Sequence, residues 1–431
     1  MVTGQHKDTL WRRTSRAAPL RTQDLPDHAE VAVIGTGFTG MTAAYHLAKA
    51  GKRVTIVDAA DLGEGASGQN AGFVVPNFAL ADPDAVEKAL GAEKGGALLD
   101  LVGGGADAVF DLIRQEGISC DAAQTGWLNP AAGKASAEML RARAAKWRAR
   151  GRSVRFLDRQ QIQQQTSMSI YDGALLDESG GTIHPLDYLL GLAASAQRHG
   201  ATIVPRAPVV ELRKSGNGWR LQFESGEILY AAQVLLCTNA FTMGAAGQLG
   251  RATVPLRVYQ VATRPLDAAT VARVAPDRRP VGDTRKNLFT YRLDRDNRLI
   301  SGGMAAVPLG ARQRLGQAIL KRLASELRLD QPPQLEVTWT GVAAMTPDFL
   351  PRVHCLGEGA FAGIGCNGRG IAMTAQLGRV LADAVLGTPP EQLPVPVRPL
   401  RRIPFHGLTP LAASAGLMKA RLTDMLTRDR N

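Results

Sequence analysis

The sequence predicts an α/β protein, α+β overall, in which a parallel nucleotide-binding domain is interleaved with a second domain of β-sheet and helices. Three observations predict it. An apolar run at 30–34 reads as a buried strand and leads directly into G-x-G-x-x-G at Gly35, Gly37 and Gly40. Near the other end, 360–364 again runs into a glycine-rich turn, 365–370, followed by a helical pattern at 371–386. Between them the stretch 255–335 reads as several strands, consistent with a second sheet carried on the same chain.

The elements follow in order. Met41, Ala44, Tyr45, Leu47 and Ala48 recur at helical spacing, so 41–50 is a helix stopped by Gly51. Val54 to Val57 is a second apolar strand, and Asp58 stands at its tip, 18 residues past Gly40. Residues 81–172 read as mostly helical, interrupted at 103–105, and 126–128 as a strand entering the second domain. Pro185 suits the first turn of a helix at 186–198 that Gly200 stops. Segments 209–212, 219–223 and 227–230 read as a three-stranded meander. A separate buried strand, 234–237, ends at Thr238 and Asn239. A hairpin around 294–297 and a helix at 315–327 complete the middle segment. After a proline-rich connector, 410–427 is a last helix with Leu411, Met418, Leu422, Met425 and Leu426 on one stripe. Packing on the body explains that stripe; a membrane surface or partner is the alternative. The expected domains are therefore an arm, 1–28; a Rossmann-like nucleotide-binding domain, 29–80, 181–255 and 336–388; a substrate domain, 81–180 and 256–335; and a C-terminal connector and helix, 389–431.

The fingerprint carries chemistry because each part has a task. Gly35 permits the tight turn, Gly37 lets backbone approach a pyrophosphate, and Gly40 lets helix pack on strand, with Phe38 and Thr39 supplying the first helical amides. Asp58 accepts from a ribose diol and repels a 2′-phosphate, so NADP is disfavoured. FAD is preferred to NAD for two reasons. The loop 61–72 is built of small and amide residues, and its Ala66, Ser67, Gln69, Asn70, Ala71 and Gly72 suit a second ligand half lying against backbone. The turn holding Gly365, Gly368, Arg369, Gly370 and Ile371 offers a second helix N-terminus for the flavin end. Val209, Thr238 and Asn239, at strand ends, complete the cofactor set.

Here the chain resembles a known family, the FAD-dependent amine and D-amino-acid oxidoreductases of the glycine oxidase and sarcosine oxidase type. The resemblance rests on 65–72, on 173–185 ending Ile183-His184-Pro185, on Tyr291-Arg292-Leu293 with 296–299, on Trp339-Thr340-Gly341, on Thr346-Pro347-Asp348 with Pro351-Arg352, and on 365–370, all in collinear order. The family loop usually reads A-S-G-R-N-G-G, whereas Gln69 and Ala71 stand here. The family turn usually reads G-Y-S-G-H-G, whereas Cys366, Asn367 and Arg369 stand here.

The resemblance implies oxidation of an amine or amino acid, of gamma-glutamylputrescine-like or N-alkyl kind, to an imine that water hydrolyses. Hydride would pass to flavin N5, with oxygen or a quinone as acceptor. It places His184 near the flavin, and Tyr291 and Arg292 on a hairpin facing the ring; an arginine fork with a phenol clamps a carboxylate. Strand alternation lets one of those two point inward. Arg369 is a candidate for holding a substrate carboxylate or balancing reduced flavin. Tyr259 and Trp339 are candidate pocket walls, and Asp348 a turn residue. Relatives that tether flavin use a His or Cys; the corresponding places hold Gln69 and Val342, Ala343, Ala344 and Met345. Non-covalent FAD is therefore expected. An NAD-dependent dehydrogenase, or a flavin subunit active only within a larger complex, remains as an alternative.

Bulk composition narrows the partners. The chain has 431 residues, 45% hydrophobic, and a net charge of +12 from 51 basic and 39 acidic side chains. Aromatics are 5%, too sparse for single-strand stacking platforms, and no recognised motif accompanies the basic run at 141–152, so nucleic-acid binding is not expected. Cys120, Cys237, Cys355 and Cys366 form no C-x-x-C pair, so no metal or redox dithiol is expected. A polar, basic N-terminus and no eighteen-residue apolar run suggest a cytoplasmic protein.

Overall fold

In the computed structural model, residues 8–21, 23–241, 247–307 and 309–428 are described. Two eight-stranded sheets form the frame. In the first, the order is Arg352–Gly357, Ala360–Ile364, Ile228–Leu236, His28–Ile34, Val54–Val57, Thr202–Val204. All neighbours are parallel except the Arg352–Gly357 edge. Burial on both faces explains why these strands read as continuous apolar runs.

Helices Phe38–Lys49, Pro185–Arg198 and Gly370–Val385 share one core cluster with the apolar side chains Val31, Val33, Val54 and Ile56. A Cβ on Gly378 would sit 2.4 Å from the Thr39 carbonyl, so two of these helices cross at backbone contact. A meander, Val209–Ser215 with Gly218–Phe223, is joined antiparallel to Ile228–Leu236. It contributes Leu212, Leu221 and Phe223 to a separate cluster with Ala32, Ile34 and Val57, so the sheet is covered on both sides.

The second sheet runs Leu335–Met345, Val254–Pro265, Arg298–Gly303, Thr290–Leu293, Val281–Gly282, Trp127–Ala132, Tyr171–Asp177, Val154–Asp158. Helix Ala311–Leu327 packs against it through Ile319, Leu320, Leu323 and Leu327.

Several expectations need correction. The meander's third strand and the strand at 234–237 are one element, Ile228–Leu236. Its first half pairs with Gly218–Phe223 and its second with His28–Ile34 and Ala360–Ile364. Tyr230 is exposed between buried Leu229 and Ala231, as strand alternation allows within one element. Residues 335–345 belong to the second sheet, pairing with Val254–Pro265, so the expected boundary at 336 falls too early. The fingerprint helix starts at Phe38, three residues before 41, because Gly37 is its N-cap. The later helix starts at Ala311, four residues before 315, after Gly310 in left-handed conformation.

The basic run lies on Lys134–Ala149, where Arg143 and Lys146 meet Asp82, Lys146 meets Asp84, and the following Arg150 meets Glu87 and Asp100. Much of that positive face is thus matched by neighbouring carboxylates. The last helix is Thr409–Arg428, with Leu411 and Met418 exposed; Leu422, Met425 and Leu426 lie outside the described side chains. No helix among the described residues is long and apolar enough to cross a membrane.

Candidate flavin and substrate site

Two helix N-termini face the carboxyl ends of the first sheet, and in neither does the N-cap residue supply a side-chain cap. Phe38–Lys49 begins at Gly37 and Gly370–Val385 at Arg369. Such ends present N–H groups and a positive dipole end to an anion. Ser67 Oγ accepts from the Phe38 amide at 2.9 Å. Gly35, at φ +112°, would place a Cβ 2.6 Å from the Cys237 carbonyl, and Gly40 one 2.0 Å from the Gly35 carbonyl. Thr39 and Ile371, in the first turns, are buried. Asp58 accepts from Thr36 N at 2.7 Å, Thr36 Oγ1 at 2.8 Å and Ala60 N at 3.0 Å. Its oxygens keep further acceptor capacity for a diol.

These features fit a dinucleotide. A Cβ on Gly368 or Gly370 would meet nothing within 4 Å, so the second turn borders open space. Buried Thr238 Oγ1 and Gln69 Oε1 have no hydrogen-bond partner among the described residues. Asn239 sits beyond the central strand at φ +49°, and Val209 is half-buried at the start of the meander.

The loop between these ends is shaped by its own amides. Ala66–Gly68 is a 3₁₀ turn. Asn70 Nδ2 donates to the Ser67 carbonyl at 2.8 Å, and its Oδ1 accepts from Gly72 N at 2.8 Å. Gln69 Nε2 donates to the Glu64 carbonyl at 2.7 Å. Distant segments hold the loop's carbonyls: Trp339 Nε1 donates to Gln69 O at 2.8 Å, Trp11 Nε1 to Asn70 O at 2.7 Å, and Arg292 Nη1 to Gly72 O at 2.8 Å. Ala71 is buried beside Trp11, Trp339, Ala262 and Ile300.

The expected substrate residues separate. Tyr291 is fully buried in the second domain, its hydroxyl donating to Val274 O at 3.0 Å, so it faces away from the loop. Arg292, one residue on, faces the loop. Its Nη1 is shared between Gly72 O and Ile183 O, each at 2.8 Å, and burial pulls its pKa down to about 10. Neither forms the expected carboxylate clamp: alternation sends Tyr291 into the core, and backbone carbonyls engage Arg292. His184 caps Pro185–Arg198, Nδ1 accepting from Asp187 N at 3.1 Å and Nε2 lying 3.1 Å from Thr14 Oγ1. Burial lowers its pKa. Both ring nitrogens are engaged, which suits a structural histidine.

Arg369 differs. Its Nε reaches Phe78 O at 3.4 Å, and its guanidinium lies 5.7 Å over the Trp127 ring. It makes no ion pair among the described residues. Burial and the Arg143 charge pull its pKa down to about 10, leaving it cationic at neutral pH. Buried Trp127 Nε1 and Asn77 Oδ1 nearby in the fold have no partner among the described residues. Phe73 packs edge-on against Trp127 at 5.8 Å.

Sequence reasoning missed Trp11, because the arm reads as polar, and Gln260. Gln260 pairs in register with Trp339 and Gly302; a Cβ on Gly302 would lie 2.5 Å from its Oε1, which has no partner among the described residues. Tyr259 is opposite Gly303, whose own side faces Ile319, so Tyr259 belongs to the helix-covered face. Asp348 accepts from Leu350 N at 3.2 Å and pairs with Arg352, a turn role.

Two helix ends, an acidic strand tip and a loop of small residues form a cradle that fits a dinucleotide, joined to a second sheet. The family model for FAD dependent oxidoreductase (DAO) matches residues 30–384, and the chain belongs to that family. It is 28% identical over 380 residues to gamma-glutamylputrescine oxidoreductase of Escherichia coli K12, covering 86% of this chain and 87% of that protein. The structure of glycine oxidase from Geobacillus kaustophilus superposes with a TM-score of 0.70 at 21% identity, covering 84% of this chain and 96% of that one. L-amino acid deaminase from Proteus vulgaris gives 0.71 at 17%, with coverages of 88% and 95%. The protein is thus an FAD-dependent oxidoreductase.

Proposed function

We propose that the substrate is an amine carrying an anionic group, with a gamma-glutamyl tail or an amino-acid carboxylate as the anion, and that Arg369 binds that anion. The observation that carries this reading is an arginine at the cap of the second flavin-turn helix, free of ion pairs among the described residues and set over Trp127. The similarity to gamma-glutamylputrescine oxidoreductase supports the amine class. Bound FAD supplies the hydride acceptor. The chain's own residues position the amine, exclude water and fix the flavin loop. His184 has no free ring nitrogen to take a proton. The amine therefore enters unprotonated from solution, and the resulting imine is hydrolysed. Oxygen reoxidises the flavin, giving hydrogen peroxide.

FAD is held without a covalent bond. Gln69 is no nucleophile, and burial raises the Cys366 thiol pKa, keeping it protonated. Yellow colour should pass to the supernatant on acid precipitation.

An anaerobic panel of amines, amino acids, alcohols and 2-hydroxy acids, read by flavin bleaching, tests the reading. Bleaching by alcohols or hydroxy acids alone would overturn it. Reduction at subsaturating substrate should rise about tenfold per pH unit below the amine's own pKa, about 10 for an alkylamine, because only the neutral form donates hydride. A profile flat from pH 6 to 9 would assign proton removal to a protein base.

A further inference from the structure

We propose that the N-terminal arm is a working part of the flavin site: Trp11 completes a clamp of three N–H donors that fixes the carbonyls of Gln69, Asn70 and Gly72 and so sets FAD affinity. The other two donors come from Trp339 and Arg292.

The arm is built to deliver Trp11. Its helix, Leu10–Thr14, is capped by Thr9 and has only five residues. A helix that short does not persist alone, so its order comes from docking. Leu10 and Trp11 are buried although the flanking sequence is basic and polar. The Trp11 ring packs edge-on to His184 at 4.9 Å and to Trp339 at 6.0 Å. Ser15 Oγ donates to Asp187 at 2.5 Å, and Arg16 N to the same carboxylate at 3.3 Å. Arg12 Nη2 donates to the Leu62 carbonyl at 3.1 Å, so the arm grips the loop at both ends.

The arm also shields a charge. Arg292 is buried with no ion pair among the described residues; it is solvated by backbone carbonyls and by the Trp11 ring, 5.4 Å away. A cavity of about 320 Å³ adjoins it, lined by Trp11, Thr14, Asp121, His184 and Asp294. Truncating Trp11 would join that cavity to the back of the flavin loop and let water reach the guanidinium. Loop order and arm docking are then thermodynamically linked: what stabilises one stabilises the other by the same factor.

The test uses the full chain. Trp11→Phe keeps the ring and removes the donor; FAD titration of the apoprotein should show about fivefold weaker binding, the value of one net hydrogen bond. Trp11→Ala should weaken it further and shift the flavin's visible band and midpoint potential as water enters. Arg155→Ala, which removes an exposed pair with Glu178 away from the arm, serves as the control and should bind FAD like wild type. By reciprocity, FAD should slow trypsin cleavage at Arg12, Arg13 and Arg16. Should Trp11→Ala fail to fold, Trp11→Phe and the protease measurement decide. Wild-type FAD affinity in Trp11→Phe, or equal arm cleavage with and without FAD, would overturn the proposal.

Discussion

The two glycine-rich turns look alike in sequence and differ in what their glycines face. At 35–40 the missing side chains are replaced by the chain itself: Cβ atoms on Gly35 and Gly40 would strike backbone at 2.6 and 2.0 Å. At 365–370 they are so only at the start: a Cβ on Gly365 would strike the Leu350 carbonyl at 2.9 Å, whereas Cβ atoms on Gly368 and Gly370 would stand in open space. The first turn is glycine-rich for helix–strand packing. The second leaves room beside a helix end whose N-cap residue makes no side-chain cap, the kind of end that can receive an anion. A glycine motif therefore reports close approach without saying whether the approaching group is protein or ligand.

The sharpest break of this comparison is Gly40→Ala. With 2.0 Å between the added carbon and a carbonyl oxygen, helix and strand must part. We expect a loss of about 3 kcal/mol or more and no retained flavin, read by thermal unfolding and the visible spectrum. A stable, yellow Gly40→Ala protein would show that the turn is not set by packing.

Arg369→Ala comes next. Loss of a charge-assisted hydrogen bond to the substrate should slow anaerobic reduction at subsaturating substrate by roughly ten- to hundredfold, with FAD still bound. Unchanged reduction in a flavin-replete variant removes Arg369 from substrate binding.

Gly370→Ala separates the turns directly. Its unfolding midpoint without FAD should stay within about 0.5 kcal/mol of wild type, as for substitutions that meet no neighbour. FAD binding should weaken by about tenfold as the methyl enters the ligand's space. Equal loss of stability in the apoprotein would make the second turn a packing turn like the first.

The smallest effect belongs to Tyr291→Phe. The variant loses one buried hydrogen bond to Val274 and should be destabilised by about 1 kcal/mol, with reduction kinetics unchanged. A slower reductive step would return Tyr291 to the substrate clamp.

The order of strand, glycine turn, helix, strand and acid at 30–58 was legible because each part acts through its own backbone within a short segment. Burial period, helix spacing and a terminal carboxylate are local properties; Val54–Val57 is as expected, and Phe38–Lys49 differs from 41–50 only at its ends. The helix start at Pro185 was legible for the same reason, and His184 is its N-cap. The joining of 227–230 to 234–237 was not, because one strand serves two different neighbours along its length.

The substrate side depended on tertiary structure throughout. Tyr291 and Arg292 are adjacent, yet one enters a core and the other meets carbonyls at Gly72 and Ile183, far away in the chain. Whether Arg292 is a clamp or a strut turns on those carbonyls being within reach. Trp11 read as part of a polar arm, since its burial arises from Trp339, His184 and Asn70, none of them near it in sequence. The dinucleotide cradle could be read along the chain, because backbone amides and glycines need only their neighbours to act. Which side chains hold the loop at 66–72 follows from folding alone, because a side chain's role is set by the partner it meets, and here those partners stand 59 to 270 residues away.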